Sequence, residues 1–105
     1  MMKVIRLVYF IVEIKMKAKP ENKQAYVKYV ERVRAIVEKY EGRYLARGGK
    51  ITAVFGGWKP QRIIIIEFPH LAAVKKWLNS AEYKKIAVLR ENSAFTKAIV
   101  VEGCA

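Results

Sequence analysis

Aspartate is absent from the 105 residues, and histidine and cysteine occur once each. A protein-ligated metal needs several such side chains at workable spacing, and His70 and Cys104 do not supply them. No metal and no cofactor is expected. A single cysteine rules out a disulfide within the chain, and a bystander thiol one residue from the end fits a reducing, cytoplasmic setting. Nucleophilic catalysis has as little to stand on: Ser80 sits where a helix cap belongs, and no base with an orienting partner accompanies it. Gly48-Gly49-Lys50 with Thr52 is not a phosphate loop, because Tyr44 stands where that motif needs its first glycine. Long uninterrupted hydrophobic runs are missing too. Residues 1–14 come nearest, but Arg6 and Glu13 break the run, it is too short to cross a bilayer, and no small-residue cleavage site follows. The run reads as a strand, with Val8, Phe10, Val12 and Ile14 on one parity and Ile5, Leu7, Tyr9 and Ile11 on the other. A strand apolar on both sides is covered on both sides, and no membrane association is expected.

What the chain has in quantity is apolar side chains and positive charge. Hydrophobic residues make up 53% of it, well above the disordered range, and residues 1–105 read as one domain with a core of its own. The net charge of +12 favours anionic partners. Its distribution argues against a dedicated polyanion surface. Lys23, Lys28, Arg32, Arg34 and Lys39 alternate with Glu21, Glu31 and Glu38 as on a solvated helix face, and only Lys75-Lys76 and Lys84-Lys85 stand as unrelieved pairs. A binding module for nucleic acid or another acidic partner, held by those four lysines, is therefore the weaker reading of function, alongside a purely structural dimer.

The local signals are strong. Pro20 and Glu21 open a helix, and Tyr26, Tyr29, Val30, Val33, Ile36, Val37 and Tyr40 repeat with the spacing of one buried face. Gly42 is predicted to close that helix. Residues 42–47 read as a strand ended by Gly48-Gly49, residues 50–55 as a short second strand, and residues 56–60 as a loop. Residues 62–68 carry four consecutive isoleucines, which predicts a central strand, and Pro69 ends it. His70 is placed to cap a short helix bearing Leu71, Val74, Trp77 and Leu78. Ser80 caps a further helical stretch in which Tyr83, Ile86, Ala87 and Arg90 share a face. Residues 95–102 form the last strand. This order is that of an α+β, ferredoxin-like βαββαβ sandwich, an antiparallel sheet with helices on one face. The other face is too apolar to stay wet, so a homodimer is expected.

Three segments carry a resemblance. Gly42-Arg43-Tyr44-Leu45-Ala46-Arg47-Gly48-Gly49 is the first, and Trp58-Lys59-Pro60-Gln61-Arg62 with Ile66-Glu67-Phe68-Pro69 the second. Ser80-Ala81-Glu82-Tyr83 with Arg90 is the third. Together they resemble domain-of-unknown-function family 1330, a branch of the dimeric α+β barrel proteins. The resemblance spans nearly the whole chain and implies a homodimer whose two sheets pack face to face with the helices outside. It implies little about activity. The wider superfamily includes cofactor-free monooxygenases that make quinones, haem-degrading monooxygenases, muconolactone-type isomerases and stress-response proteins, and fold does not carry activity. Lys19 stands where the family usually has aspartate, and His70 where it commonly has serine.

The candidate site is the set of polar residues on otherwise apolar strands. Arg43, Arg47, Arg62 and Glu67 lie on or beside central strands, where a buried charge must be paired, and Arg43 and Arg47 share strand parity. They read either as an ion-pair network that fixes the hairpin or dimer, or as a pocket for a small acidic or aromatic metabolite. In the pocket reading Arg43, Arg47 and Arg62 hold a carboxylate or enolate, and Tyr44, Trp58, Trp77 and Tyr83 form aromatic walls. Glu67 is then the catalytic acid or base. The corresponding function is that of a homodimeric small-molecule protein, a cofactor-independent oxygenase or isomerase.

Overall fold

A computed structural model of the protein describes residues 6–104. The elements follow in the order β1 (Val8–Met16), α1 (Pro20–Lys39), β2 (Arg43–Arg47), β3 (Arg62–Phe68), α2 (Leu71–Asn79), α3 (Ala81–Ser93) and β4 (Ala94–Glu102). The strands form one sheet in the order β2-β3-β1-β4, with every neighbouring pair antiparallel. This is the ferredoxin-like plan with its second helix divided in two at Ser80. The strand expected over residues 1–14 starts at Val8, and its first five residues lie outside the described ones.

Strand alternation sorts the apolar residues onto two faces. Val8, Val12 and Ile14 of β1 and Ile66 and Phe68 of β3 are buried beneath the helices. They meet Val33 and Val37 of α1 and Val74 and Trp77 of α2, all buried as well. Trp77 sits at the centre, with ring centroids 5.2 Å from Phe10, 5.6 Å from Phe68 and 4.7 Å from Tyr83. Tyr9, Ile11, Ile63 and Ile65 occupy the opposite parity, so the second sheet face is also apolar, and among the described residues no helix covers it.

The helix ends follow their sequences closely. His70 Nδ1 accepts from the Ala73 N–H at 3.1 Å and caps α2. Ser80 Oγ accepts from the Tyr83 N–H at 3.2 Å and caps α3, while its own hydroxyl donates to the Trp77 carbonyl at 2.7 Å. The close of α1 differs from expectation in one respect. Gly42 N–H donates to the Val37 carbonyl and Glu41 N–H to that of Glu38, a Schellman pair, and it is Glu41 that takes the left-handed conformation at φ 69°. Gly42 is needed for space instead: a Cβ there would run into Val37 Cγ1 and the Phe68 ring.

The strand expected at residues 50–55 is absent. Residues 48–61 form a loop that is exposed from 48 to 59, and Gly56 and Gly57 both have positive φ. Strand propensity expresses itself only against a neighbouring strand, and among the described residues none lies alongside this segment. Among the described residues, no helix is long and apolar enough to cross a membrane.

Candidate functional site: a tyrosine and arginine cavity

The helices do not close fully onto the sheet. A cavity of about 400 Å³ remains between them, floored by Phe10, Val12, Ile64 and Ile66 and roofed by Tyr26 and Tyr29 of α1, Trp77 of α2 and Tyr83 of α3. On the β4 side, Ala98 and Val100 line it and are themselves exposed, so the cavity opens along that strand.

Three arginines enter this apolar space from three different elements. Arg47 of β2 donates through Nη2 to the Val30 carbonyl at 2.5 Å and lies 4.8 Å from the Tyr44 ring centroid. Arg62 of β3 stacks 5.7 Å from the Tyr26 ring. Arg90 of α3 donates through Nη1 to Thr96 Oγ1 at 3.0 Å, and its Nη2 stands 3.8 Å from the Glu91 carboxylate. Among the described residues no carboxylate lines the cavity. Arg62 Nε and Trp77 Nε1 are buried without a hydrogen-bond partner among those residues. An unmet buried donor costs about 1–3 kcal/mol, so both groups call for an acceptor that the described residues do not supply.

Burial holds two of the tyrosines, Tyr29 and Tyr44, neutral. Tyr29 Oη and Tyr83 Oη are 2.9 Å apart. Burial, reinforced by Tyr83, pushes the Tyr29 phenol far above its ordinary pKa. Burial also raises the Tyr44 phenol to about 12, outweighing the neighbouring Arg47 charge that favours ionisation. Burial opposes the Arg90 charge, but contacts with Tyr83, Tyr29 and Glu91 outweigh it and hold its pKa above the ordinary value. The pocket therefore presents guanidinium groups beside the neutral phenols of Tyr29 and Tyr44. The sign of the pH dependence follows. Between pH 10 and about 12 an unfolded Tyr44 loses its proton while the folded one keeps it, so stability is complete below pH 10 and falls as pH rises through that window. Thermal melts stepped across this range should show a falling melting temperature, and a Tyr29→Phe, Tyr44→Phe double variant should show a flatter profile.

Residues 7–104 match the family described as a domain of unknown function, DUF1330. The chain belongs to the DUF1330 family. No curated protein matches it. Among solved structures, a protein of unknown function from Rhodopseudomonas palustris matches with a TM-score of 0.78 at 16% identity, covering 94% of this chain and 83% of that one. A dimeric ferredoxin-like protein of unknown function from Jannaschia sp. CCS1 matches at 0.71 and 9% identity, covering 92% and 99%. A cofactor-independent oxygenase from Streptomyces nogalater matches at 0.62 and 10% identity, covering 97% and 96%. At these identities the likeness is one of fold, and the fold is that of the ferredoxin-like, dimeric α+β barrel class.

In this DUF1330 chain the cavity brings together Tyr44, Arg47, Arg62 and Tyr83 of the expected site, with Trp77 as a wall. Arg43 and Glu67 are elsewhere. They pair across β2 and β3 on the open sheet face, 3.1 Å between Arg43 Nη2 and Glu67 Oε1. The shared parity of Arg43 and Arg47 fails because the ladder shifts between Tyr44 and Ala46. Arg43 stands opposite Glu67, whereas Arg47 stands opposite Ile64 and turns under the helices. Trp58 is in the exposed loop, its Nε1 donating to Glu13 Oε2 at 3.2 Å. Lys75, Lys76, Lys84 and Lys85 are exposed and outside the cavity. Tyr26, Tyr29 and Arg90 also line the cavity, beyond the residues that the strand pattern picks out. The available signal was polarity within an apolar stripe: two phenols on the buried face of α1 and an arginine on that of α3.

Proposed function

We propose that this DUF1330 chain forms a homodimer and binds a small acidic, aromatic metabolite in the cavity between helices and sheet. The observation that carries the reading is three arginines converging on an apolar, tyrosine-lined space whose lining, among the described residues, holds no carboxylate, Glu91 approaching Arg90 alone and from outside it. Such a site favours a ligand that brings its own negative charge on a flat ring: a carboxylate, phenolate or enolate oxygen for the guanidinium groups, and a π-face for Tyr26, Tyr44 and Trp77. The apolar second sheet face supports the dimer, as does the dimeric state of the Jannaschia protein.

The finer proposal is that the cavity performs cofactor-independent oxygenation or isomerisation. Arginines that stabilise an enolate or phenolate lower the ligand's own pKa, so an electron-rich ring forms without a strong base. The Streptomyces nogalater oxygenase supports this by fold alone. Glu67 has no place in the proposal, since it faces away from the cavity, and proton movement falls to the Tyr29–Tyr83 hydroxyl pair and to solvent at the β4 rim. Native mass spectrometry with a panel of aromatic carboxylates and hydroxyquinones tests the reading. A dimer that takes up one ligand per chain is the expected result. A dimer that binds none of the panel would remove the ligand reading, and a monomer would remove the dimer.

A further inference from the structure

We propose that residues 51–55 form a β-strand only in the assembled dimer, by adding to the outer edge of β4 in the second copy. The proposal rests on the homodimer reading above. The segment Ile-Thr-Ala-Val-Phe is β-branched or aromatic at four of its five positions, yet among the described residues no strand of its own chain runs beside it. It is not tucked away either. Val54, Phe55 and Trp58 are 75%, 89% and 64% exposed, the opposite of the polar surface expected of an unpartnered loop. The described residues reach 55 Å along their longest axis with a radius of gyration of 14.9 Å, against about 13 Å for a compact chain of this size.

A matching deficiency lies at the far side of the sheet. β4 is a nine-residue edge strand paired with β1 alone, and Phe95, Ile99 and Val101 are 61%, 63% and 44% exposed. Edge strands of that length are normally blunted by a bulge, a proline or several charges. The β4 register with β1 runs without a break, and the strand contains no proline. β2, the other edge, is short and interrupted by its own bulge, which makes it the poorer acceptor. The loop also leaves in the right direction. Trp58 reaches Glu13, which lies on the open parity of β1, so the loop stands on the side a second copy would take. In a two-fold dimer each arm finds the other copy's β4, and the contact is made twice. Main-chain hydrogen bonds would hold it, as in strand addition generally. Because Ala98 and Val100 of β4 rim the cavity, the arriving strand would also complete the mouth of the ligand site.

Amide hydrogen exchange at residues 51–55, read together with the mass of the species in solution, tests this. The expected result is a dimer whose amides there exchange at least about 100-fold slower than in a free chain, with protection vanishing on dilution to monomer. Thr52→Pro and Ala53→Pro probe the same contact independently. Successive N–H groups of a strand point in opposite directions, so one of the two prolines removes a ladder bond and the other does not. One variant should weaken the dimer at least about tenfold, or about 1.4 kcal/mol, and the other clearly less, with the far-UV spectrum of the monomer unchanged in both. A dimer whose arm amides exchange freely, protection that survives in the monomer, or a dimer untouched by both prolines overturns strand addition and leaves the homodimer standing. A chain that stays monomeric overturns both.

Discussion

Trp77→Ala should destabilise the fold by about 3–5 kcal/mol, enough to lower the melting temperature by well over about 10 °C. Trp77 is 2% exposed, and the rings of Phe10, Phe68 and Tyr83 all pack against it. It is also the point where α2, α3 and the two central strands meet. Alanine would leave a void that joins the existing cavity, so neighbouring side chains have little to collapse onto. Trp77→Phe makes the informative comparison. It keeps a ring in the stack and deletes the indole N–H that has no partner among the described residues, so its cost should be a small part of that of alanine. Urea unfolding of both variants measures this directly. An alanine variant within about 1 kcal/mol of the parent would mean that the core is centred elsewhere.

Arg62→Met should separate stability from binding. Affinity for an aromatic carboxylate is expected to fall about 10- to 100-fold, while the melting temperature without ligand stays level or rises. The expectation comes from what surrounds the guanidinium. Its Nε is buried without an acceptor among the described residues, the other charged side chains lining the cavity are Arg47 and Arg90, and the Tyr26 ring centroid lies 5.7 Å away. Gly48 contributes by omission, since a Cβ there would occupy the place of the guanidinium. Replacing a cation that has no ion pair among the described residues by a thioether of similar reach should relieve desolvation in the empty protein and, under the proposed function, remove attraction in the liganded one. Arg43→Met is the control. It lies on the open face with Glu67, and ligand affinity should not follow it. Calorimetric titration alongside thermal melts decides the matter: an Arg62→Met variant that melts lower and binds normally would make Arg62 a structural residue.

The order of elements was legible because each carries its own periodic signal. The stripe from Tyr26 to Tyr40 permits only a one-sided helix, and four successive isoleucines mark a strand. His70 and Ser80 announce the caps they make. The site was legible by half, for reasons that are geometric. Nothing in Arg-Tyr-Leu-Ala-Arg distinguishes a regular ladder from a shifted one, so Arg43, and Glu67 opposite it, were grouped with Arg47. That Tyr29 and Arg90 face inward could be read from spacing. That the helices stop short of the sheet could not, because an unfilled volume depends on how layers settle and not on any single segment. Residues 50–55 failed differently: the pattern is that of a strand, but pairing depends on a neighbour that this chain does not place beside it.

The slip in the ladder between Tyr44 and Ala46 has an evolutionary reading. In an unbroken strand, residues four apart answer to the same surface, so a change in what the protein binds would disturb whatever else that surface touches. Here one extra residue releases Arg43 from Arg47. The first answers to the face open to a partner, the second to the chamber beneath the helices. Five residues thus serve two surfaces, and under the proposed function a substitution at Arg47 would change the choice of ligand without touching the face on which two copies would meet.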